Sequence, residues 1–439
     1  MADSRATRAG AGARPTAPVR QVAAVVAGNA LEFYDFLTYA YFAVQIGRSF
    51  FPSADPSSSL LASLATFGVG FVGRPVGAWV IGRLGDRRGR KPAMLLSFGL
   101  MGLGMIGLAL TPGYARIGAL APVLAVTWRL VQGFALGGEV GPSTAFLAEA
   151  SSPERRGLFT SFQMSSQRMA ALAAGLMGIS LSHNLSPAAL DAWGWRVAFL
   201  AGAAIIPVGL MLRNSVAETL ERAPEAQPAH TGPPVVRIAS IAPVILAGGT
   251  IGSYVIDYLT TYATVTLHMG SQVAFYAPLA SGITGTIVAP IAGWASDRIG
   301  RRPIMLGSWS VMLIGAMPMF LLLEHSRSAL ALILLAGGLT ACVAAMFGAG
   351  LTAIGEALPM RMRSGGLGLI YGLTISVFGG STQYVVAWLT HQTHNTLTPA
   401  WYLTVAVAVS LLATLAFPET APARTAGRQD TRSSARIPA

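Results

Sequence analysis

Seven ionisable side chains stand inside long apolar runs of this sequence: Glu32 and Asp35, Arg74, Arg129 and Glu139, Arg168, and Asp257. At the centre of a helix in hydrocarbon each would cost roughly 2.5–3.5 kcal/mol, so each must pair or face water, and such residues are functional by default. Glu32 and Asp35 lie three apart, which puts both carboxylates on one helical face. Two like charges in a low-dielectric cavity do not both ionise cheaply, and one of them can then hold a proton. The pair is either a proton carrier or the fixed partner of an arginine on a neighbouring helix. Asp35 is the preferred carrier because it lies deeper in its run.

Gln132 and Glu139 are seven apart and nearly eclipsed, with Arg129 one turn before Gln132. A guanidinium and an amide on one stripe suit a carboxylate ligand, since the planar fork of arginine can be met by both carboxylate oxygens. The alternative for Arg129 is an ion pair with Glu32 or in the neighbourhood of Glu139. A broad polar face follows, with Gln163 and Gln167 at i, i+4 beside Ser161, Ser165 and Arg168. A polar face on a spanning helix must look into a cavity or another helix. It therefore lines a pathway or glues helices through amides and hydroxyls. The second half of the chain offers Tyr254, Asp257, Tyr258, Tyr371 and Gln383, while Tyr262 suits an interfacial belt. Asp257 could be a second protonatable site, a counter-ion for Arg168 or part of substrate selection.

The elements that must position these groups are membrane spans. Of 439 residues 53% are hydrophobic and only 11% charged, with mean hydropathy +0.57, where a soluble chain carries about 25% charged residues. A spanning helix needs roughly 20 apolar residues, and twelve such stretches can be placed: 21–43, 59–81, 93–111, 119–141, 158–181, 196–212, 241–266, 273–295, 304–323, 329–350, 366–390 and 400–417. The net charge of +12 could suggest nucleic acid as a partner, but 29 of the 30 basic residues are arginine and they gather at the ends of apolar runs. That placement suits membrane orientation, and the arginine-rich loops, with both termini, are expected on the cytoplasmic side. The single Cys342 sits in an apolar run, which excludes a disulfide framework.

The domain plan expected from these features is a disordered basic tail over 1–18, a six-helix half over 19–213, a linker over 214–237, a second half over 238–417 and a polar tail over 418–439. No small-residue cleavage site precedes the first span, so no cleaved signal peptide is expected. No stretch outside the spans is long enough for a soluble catalytic domain. The sequence has no His-Glu-x-x-His, Gly-x-Ser-x-Gly or Gly-x-x-x-x-Gly-Lys-Ser/Thr motif. An enzyme is disfavoured and the energy source should be an ion gradient.

Two halves are also visible as repeats. The stretch from Gly82 to Lys91, with Asp86, Arg87 and Arg90, returns 211 residues later from Gly293 to Arg302, with Asp297, Arg298 and Arg301. Each copy is followed at once by a proline, Pro92 or Pro303, a good opening residue for a helix. Glu149 with Pro153 and Arg155 resembles Glu356 with Pro359 and Arg361, at an offset of 207 residues. Such internal symmetry is expected of secondary transporters.

The doubled Gly-x-x-x-Asp-Arg-x-Gly-Arg-(Arg/Lys), with the run from Trp193 to Phe199, resembles the major facilitator superfamily over nearly the whole chain. Gly28-Asn29-x-x-Glu32-Phe33-x-Asp35-Phe36, Arg74-Pro75-x-Gly77-Ala78, Arg129-Leu130-x-Gln132-Gly133-Phe134 and Phe378-Gly379-Gly380 are similar to its metabolite:proton symporter branch. The segment from Pro112 to Arg129 looks most like the citrate/proton symporters of that branch. The resemblance implies an all-α integral membrane fold of twelve transmembrane helices in two pseudo-symmetric six-helix halves. It implies proton-coupled symport of a small organic acid, a citrate-like di- or tricarboxylate, across the bacterial inner membrane. Alternatives within the branch are shikimate, proline or betaine, or export and exchange.

Proton coupling then falls to Asp35, Glu32, Glu139 and Asp257, and substrate binding to Arg129, Gln132, Gln163, Gln167, Arg168, Tyr258, Tyr371 and Gln383. Asp86, Arg87, Arg90, Asp297, Arg298, Arg301, Glu149, Glu356 and Arg74 would gate. In the superfamily the motif Asp caps a helix of the other half and its arginines pair with acids such as Glu149, closing the cytoplasmic side, and Arg74 resembles a fixed position that pairs structurally. The implied partners are the organic acid, protons and membrane lipid, with no nucleic acid, metal or cofactor, and the carrier would act as a monomer. Two departures stand out: Thr260-Thr261-Tyr262 where Pro-Thr-Tyr is usual, and Arg168 and Asp257 at positions usually neutral.

Overall fold

The computed structural model describes residues 19–88, 90–137, 140–214, 235–359 and 363–424. Glu139, the tail 1–18, most of the linker (215–234) and residues 425–439 lie outside the described residues, as do the side chains of Asp86, Arg90 and Glu149.

Twelve helical spans carry the described chain: α1 Val19–Tyr41, α2 Pro56–Arg88, α3 Arg90–Leu110, α4 Leu120–Leu136, α5 Arg156–Asn184, α6 Trp195–Asn214, α7 Val235–Thr261, α8 Tyr276–Ile299, α9 Arg301–Ser326, α10 Ala329–Ala357, α11 Arg363–Thr374 and α12 Thr398–Leu415. Four of them continue: α1 as Ala43–Phe50, α4 as Val140–Glu149, α7 through a π turn Tyr262–Thr266, and α11 through a π turn Ile375–Gly379 into Gly380–Thr393. Among the described residues seven helices are long and apolar enough to cross a membrane, and Leu95–Leu110 and Leu120–Leu136 are shorter apolar helices. Ile314, Leu412, Leu110 and Val311 are exposed at 76, 66, 66 and 62%. An outer surface of that kind is solvated by lipid chains.

The halves are α1–α6 and α7–α12. The N-terminal half is knit by α2 on α4 and α3 on α6, and the C-terminal half by α8 and α9 on α10 and by α12 on α7 and α9. Across the boundary α5 runs along α8 and also meets α10, α2 meets the second part of α11, and α1 meets α7. At one crossing a Cβ built on Gly68 would lie 2.4 Å from the carbonyl oxygen of Gly380, so only glycines let α2 and α11 approach this closely. At the centre Phe36, Phe67 and Phe71 pack with Tyr254 of the other half, ring centroids 4.5–6.1 Å apart.

The repeated motif is mostly helix. Arg88 ends α2 and Arg90 opens α3; Ile299 ends α8, Gly300 turns the chain at φ +117°, and Arg301 opens α9. The two prolines therefore stand third in their helices, two residues later than expected. They are tolerated there because the first-turn amides have no intrahelical acceptor to lose. Instead the amides of Arg301 and Arg302 donate to the Glu419 carboxylate at 2.9 and 3.1 Å, an anion at a helix N-terminus. Residues Pro418 to Arg424, placed in the tail by the sequence, fold back against this corner, where Arg424 also donates to the Ile299 carbonyl at 3.1 Å. At the opposite end Asp55 caps α2 through the Ser57 and Ser58 amides at 3.0 Å, and these bonds with the Ser58 hydroxyl hold its carboxyl below the usual range.

Candidate functional site

Arg168 of α5 and Asp257 of α7 meet between the halves, Nη1 to Oδ1 at 3.4 Å, with both side chains about 4% exposed. Tyr41, the last residue of α1, donates its hydroxyl to the same Oδ1 at 3.3 Å, and Arg168 Nη1 also reaches Ser281 Oγ of α8 at 3.1 Å. Four helices thus converge on one ion pair. It lines a cavity together with Gln167, Phe33, Phe36, Leu37, Thr250, Ser253, Tyr254, Phe347, Tyr371 and Ile375. The open volume is about 30 Å³, room for a water or two where a drug-sized ligand occupies roughly 300 Å³ or more. Gln167 spans the halves, donating to the Tyr371 hydroxyl at 3.4 Å.

A second pair lies within the N-terminal half. Asp35 accepts from Gln132 Nε2 at 3.0 Å, Gln132 accepts from Arg129 Nη1 at 2.7 Å, and Arg129 Nη1 stands 3.8 Å from Asp35 Oδ2. Arg129 is 1% exposed and lies over the Tyr39 ring at 4.4 Å, which stabilises a desolvated cation. Gly104 of α3 makes room for the Gln132 side chain, for a Cβ there would lie 2.5 Å from its Cγ. Among the described residues no side chain of α4 lines this cavity; here Arg129 and Gln132, expected from the sequence to bind substrate, bond to each other and to Asp35. Phe33, Phe36 and Leu37 take the cavity face of α1, and Asp35 takes the face toward α4. Glu32 is buried on α1 at 1% exposure.

Gln163 is interhelical glue: it donates to Asn29 Oδ1 at 2.9 Å and accepts from Ser143 at 3.2 Å. Tyr258 and Gln383 are buried outside the cavity lining, and neither polar atom of Gln383 has a partner among the described residues. Arg74 has no ion pair among the described residues; its guanidinium lies over the Phe71 and Phe36 rings at 4.1 and 4.9 Å. An aromatic cage holds a cation without neutralising it.

The second motif copy closes one end of the boundary. Asp297 of α8 accepts from the amides of Gly157 and Leu158, at the N-terminus of α5, at 2.8 and 3.0 Å. It also pairs with Arg301 at 2.6 Å, Arg301 pairs with Glu356 of α10 at 3.2 Å, and Glu356 meets Arg156 at 3.7 Å. Thr160 and Thr352 hydrogen-bond beside this network. Arg298 is outside it, over the Trp294 ring at 4.1 Å, and Arg87 is exposed.

Sequence reasoning missed Tyr41 and Ser281. Tyr41 is 216 residues from its acid, and no local pattern couples the two. Ser281, between Ala280 and Gly282, reads as a packing residue.

Comparison with known proteins gives this geometry a context. The sugar (and other) transporter family matches residues 21–219 and 235–426. The chain belongs to that family, within the major facilitator superfamily. It is 34% identical to the citrate-proton symporter of Salmonella typhi over 397 residues, covering 89% of this chain and 92% of that one. It is 33% identical to the alpha-ketoglutarate permease of Escherichia coli (strain K12) over 410 residues, 90 and 93% of the two chains. Among solved structures, that of a D-xylose-proton symporter superposes with TM-score 0.74 at 16% identity, over 92% of this chain and 99% of the other. The family consists of transporters, so this chain is a multi-pass membrane carrier of the bacterial inner membrane, with twelve helices in two halves, and not an enzyme.

Proposed function

We propose that this chain is a proton-coupled symporter of a small organic acid of the citrate class, working by alternating access. The observation that carries the reading is the pair of buried carboxylate–guanidinium contacts, Arg168–Asp257 at the cavity and Arg129–Asp35 beside it. Intramembrane ion pairs mark substrate and proton paths. The relatives' names, citrate-proton symporter and alpha-ketoglutarate permease, support a carboxylate substrate.

Arg168 is the cation for the substrate carboxylate, and Gln167 and Tyr371 complete the polar wall from both halves. Asp35 carries the proton, with Gln132 and Arg129 holding its charged form, and Glu32, Glu139 and Asp257 are the further acids of the path. A proton on Asp35 weakens its hold on Arg129 and Gln132 and frees α1 against α4. The halves then rock about the cavity, and the Asp297–Arg301–Glu356 network holds the motif end closed in the state that opens on the other side. That end is the cytoplasmic one, with both termini, and the carrier acts as a monomer in lipid.

The test is uptake of labelled citrate into proteoliposomes with an imposed inward proton gradient. Accumulation that collapses with a protonophore supports the reading. Uptake that ignores the gradient contradicts symport, and competition by proline or shikimate with none by citrate contradicts the substrate class.

A further inference from the structure

Arg74, Arg129 and Arg168 are buried at membrane depth, and only two of the three have an acid. Arg168 pairs with Asp257 and Arg129 with Asp35, whereas Arg74 has no ion pair among the described residues. Arg74 is 7% exposed, and its Nε and Nη2 are both buried without a partner among the described residues. Those two nitrogens form one edge of the guanidinium, the edge that a carboxylate can meet with two parallel hydrogen bonds. The Phe71 and Phe36 rings, at 4.1 and 4.9 Å, lessen the cost of the buried charge but do not cancel it. A desolvated cation whose bidentate edge is unmet is costly to keep, and at this depth it marks a place for an anion.

Arg74 also borders the cavity. Phe36, which its guanidinium covers, is a cavity wall, and Tyr254, another wall, packs on Phe36 and Phe71 at 6.0 and 5.6 Å. Arg74 and Arg168 both act electrostatically on the Tyr254 and Tyr371 hydroxyls, so the two cations stand within reach of the same two wall residues. They share a depth as well. Arg74 is fourteen residues from the Arg88 end of α2 and Arg168 twelve from the Arg156 end of α5, about 21 and 18 Å along helices whose named ends face the same side.

We propose that Arg74 is a second anion subsite, taking a distal carboxylate of the substrate whose first carboxylate is held by Arg168, and that it selects di- and tricarboxylates over monocarboxylates. The inference rests on the organic-acid reading above. Phe36 and Phe71 belong to the N-terminal half and Tyr254 to the C-terminal half. Separation of the halves therefore draws Tyr254 off the ring cluster and opens Arg74 to the cavity. The distal carboxylate then meets the Nε and Nη2 edge and offsets a charge that no acid among the described residues offsets. A monocarboxylate held by Arg168 leaves that edge desolvated and unmet, which is the costly half of an unmade hydrogen bond.

The test compares binding of succinate with butyrate, acids of equal chain length that differ in the second carboxylate, to the purified full chain in detergent, for wild type, Arg74→Gln and Arg74→Lys. In wild type succinate should bind about ten- to a hundredfold tighter, the range of a charge-assisted hydrogen bond. Arg74→Gln should bring the ratio near one, and Arg74→Lys, which keeps the charge but not the planar fork, should retain part of it. A wild-type ratio near one overturns the proposal without any variant. So does a preference that survives in a folded Arg74→Gln protein, or a loss that weakens both acids equally, the mark of a structural role. Where Arg74→Gln does not fold, Arg74→Lys decides, and the full wild-type preference in that variant overturns the proposal. Equal binding of both acids sinks this inference alone, and failure of citrate, succinate and butyrate all to bind sinks the organic-acid reading with it.

Discussion

Arg168 and Asp257 stand 3.4 Å apart on opposite sides of the boundary between the halves, and no other ion pair joins α5 to α7 among the described residues. Removing one partner of a buried pair leaves a bare charge and costs about 3–5 kcal/mol, whereas removing both costs far less. Asp257→Ala and Arg168→Gln should each lower the unfolding temperature of the detergent-solubilised carrier by several degrees. The double variant Arg168→Gln/Asp257→Asn should recover most of that loss and still fail to transport, because the cation for the substrate is gone. A thermal-shift series with uptake measured on the same preparations checks both halves of the statement.

Gln132 holds Asp35 at 3.0 Å and is itself held by Arg129 at 2.7 Å. Gln132→Ala removes the bridge and leaves Asp35 with the longer 3.8 Å contact alone. Loss of a hydrogen bond to a charged group is worth about 1.5–3 kcal/mol in favour of the protonated acid. Uptake by the variant should therefore stay proton-driven but persist to higher external pH than in wild type, at a rate lowered about tenfold or more. A pH profile of initial rates on both proteins reads the shift, and an unchanged profile would detach Gln132 from the coupling site.

Asp297 closes the motif end by accepting two amides of α5 at 2.8 and 3.0 Å. Those bonds exist only when the halves meet there, so they bias the carrier between its two open states. In Asp297→Ala the closed arrangement should lose at least about tenfold in population, from one or two charge-assisted bonds of about 1.5–3 kcal/mol. Distance measurements between spin labels across the motif end should broaden toward longer separations, while binding at the cavity persists.

Gly68 and Gly380 let α2 and α11 touch backbone to backbone. Gly68→Leu should hold those helices apart and stop the cycle. Substrate binding should survive and net uptake should vanish, a split that equilibrium binding and transport assays separate cleanly.

The twelve spans, the doubled motif and the charges at membrane depth were legible because each is a local property of the sequence. Asp35, Arg129, Arg168 and Asp257 declared themselves by standing in apolar runs. Their partners did not, since Tyr41 and Asp257 meet only through tertiary packing. Gln163 and Gln167 share one helix face in the sequence, yet Gln163 bonds Asn29 inside its own half and Gln167 reaches across to Tyr371. Where a helix face looks is set by its neighbours, so the same pattern served as glue at one turn and as lining at the next. Glu419 read as part of a polar tail because its partners, the first amides of α9, are backbone groups that no composition reveals.

Exchange and accumulation, measured side by side for Asp35→Asn in proteoliposomes, test the central claim most directly. If Asp35 carries the proton, the variant should exchange internal for external labelled citrate near the wild-type rate yet fail to concentrate it under an inward proton gradient. Accumulation by Asp35→Asn equal to wild type would contradict the account.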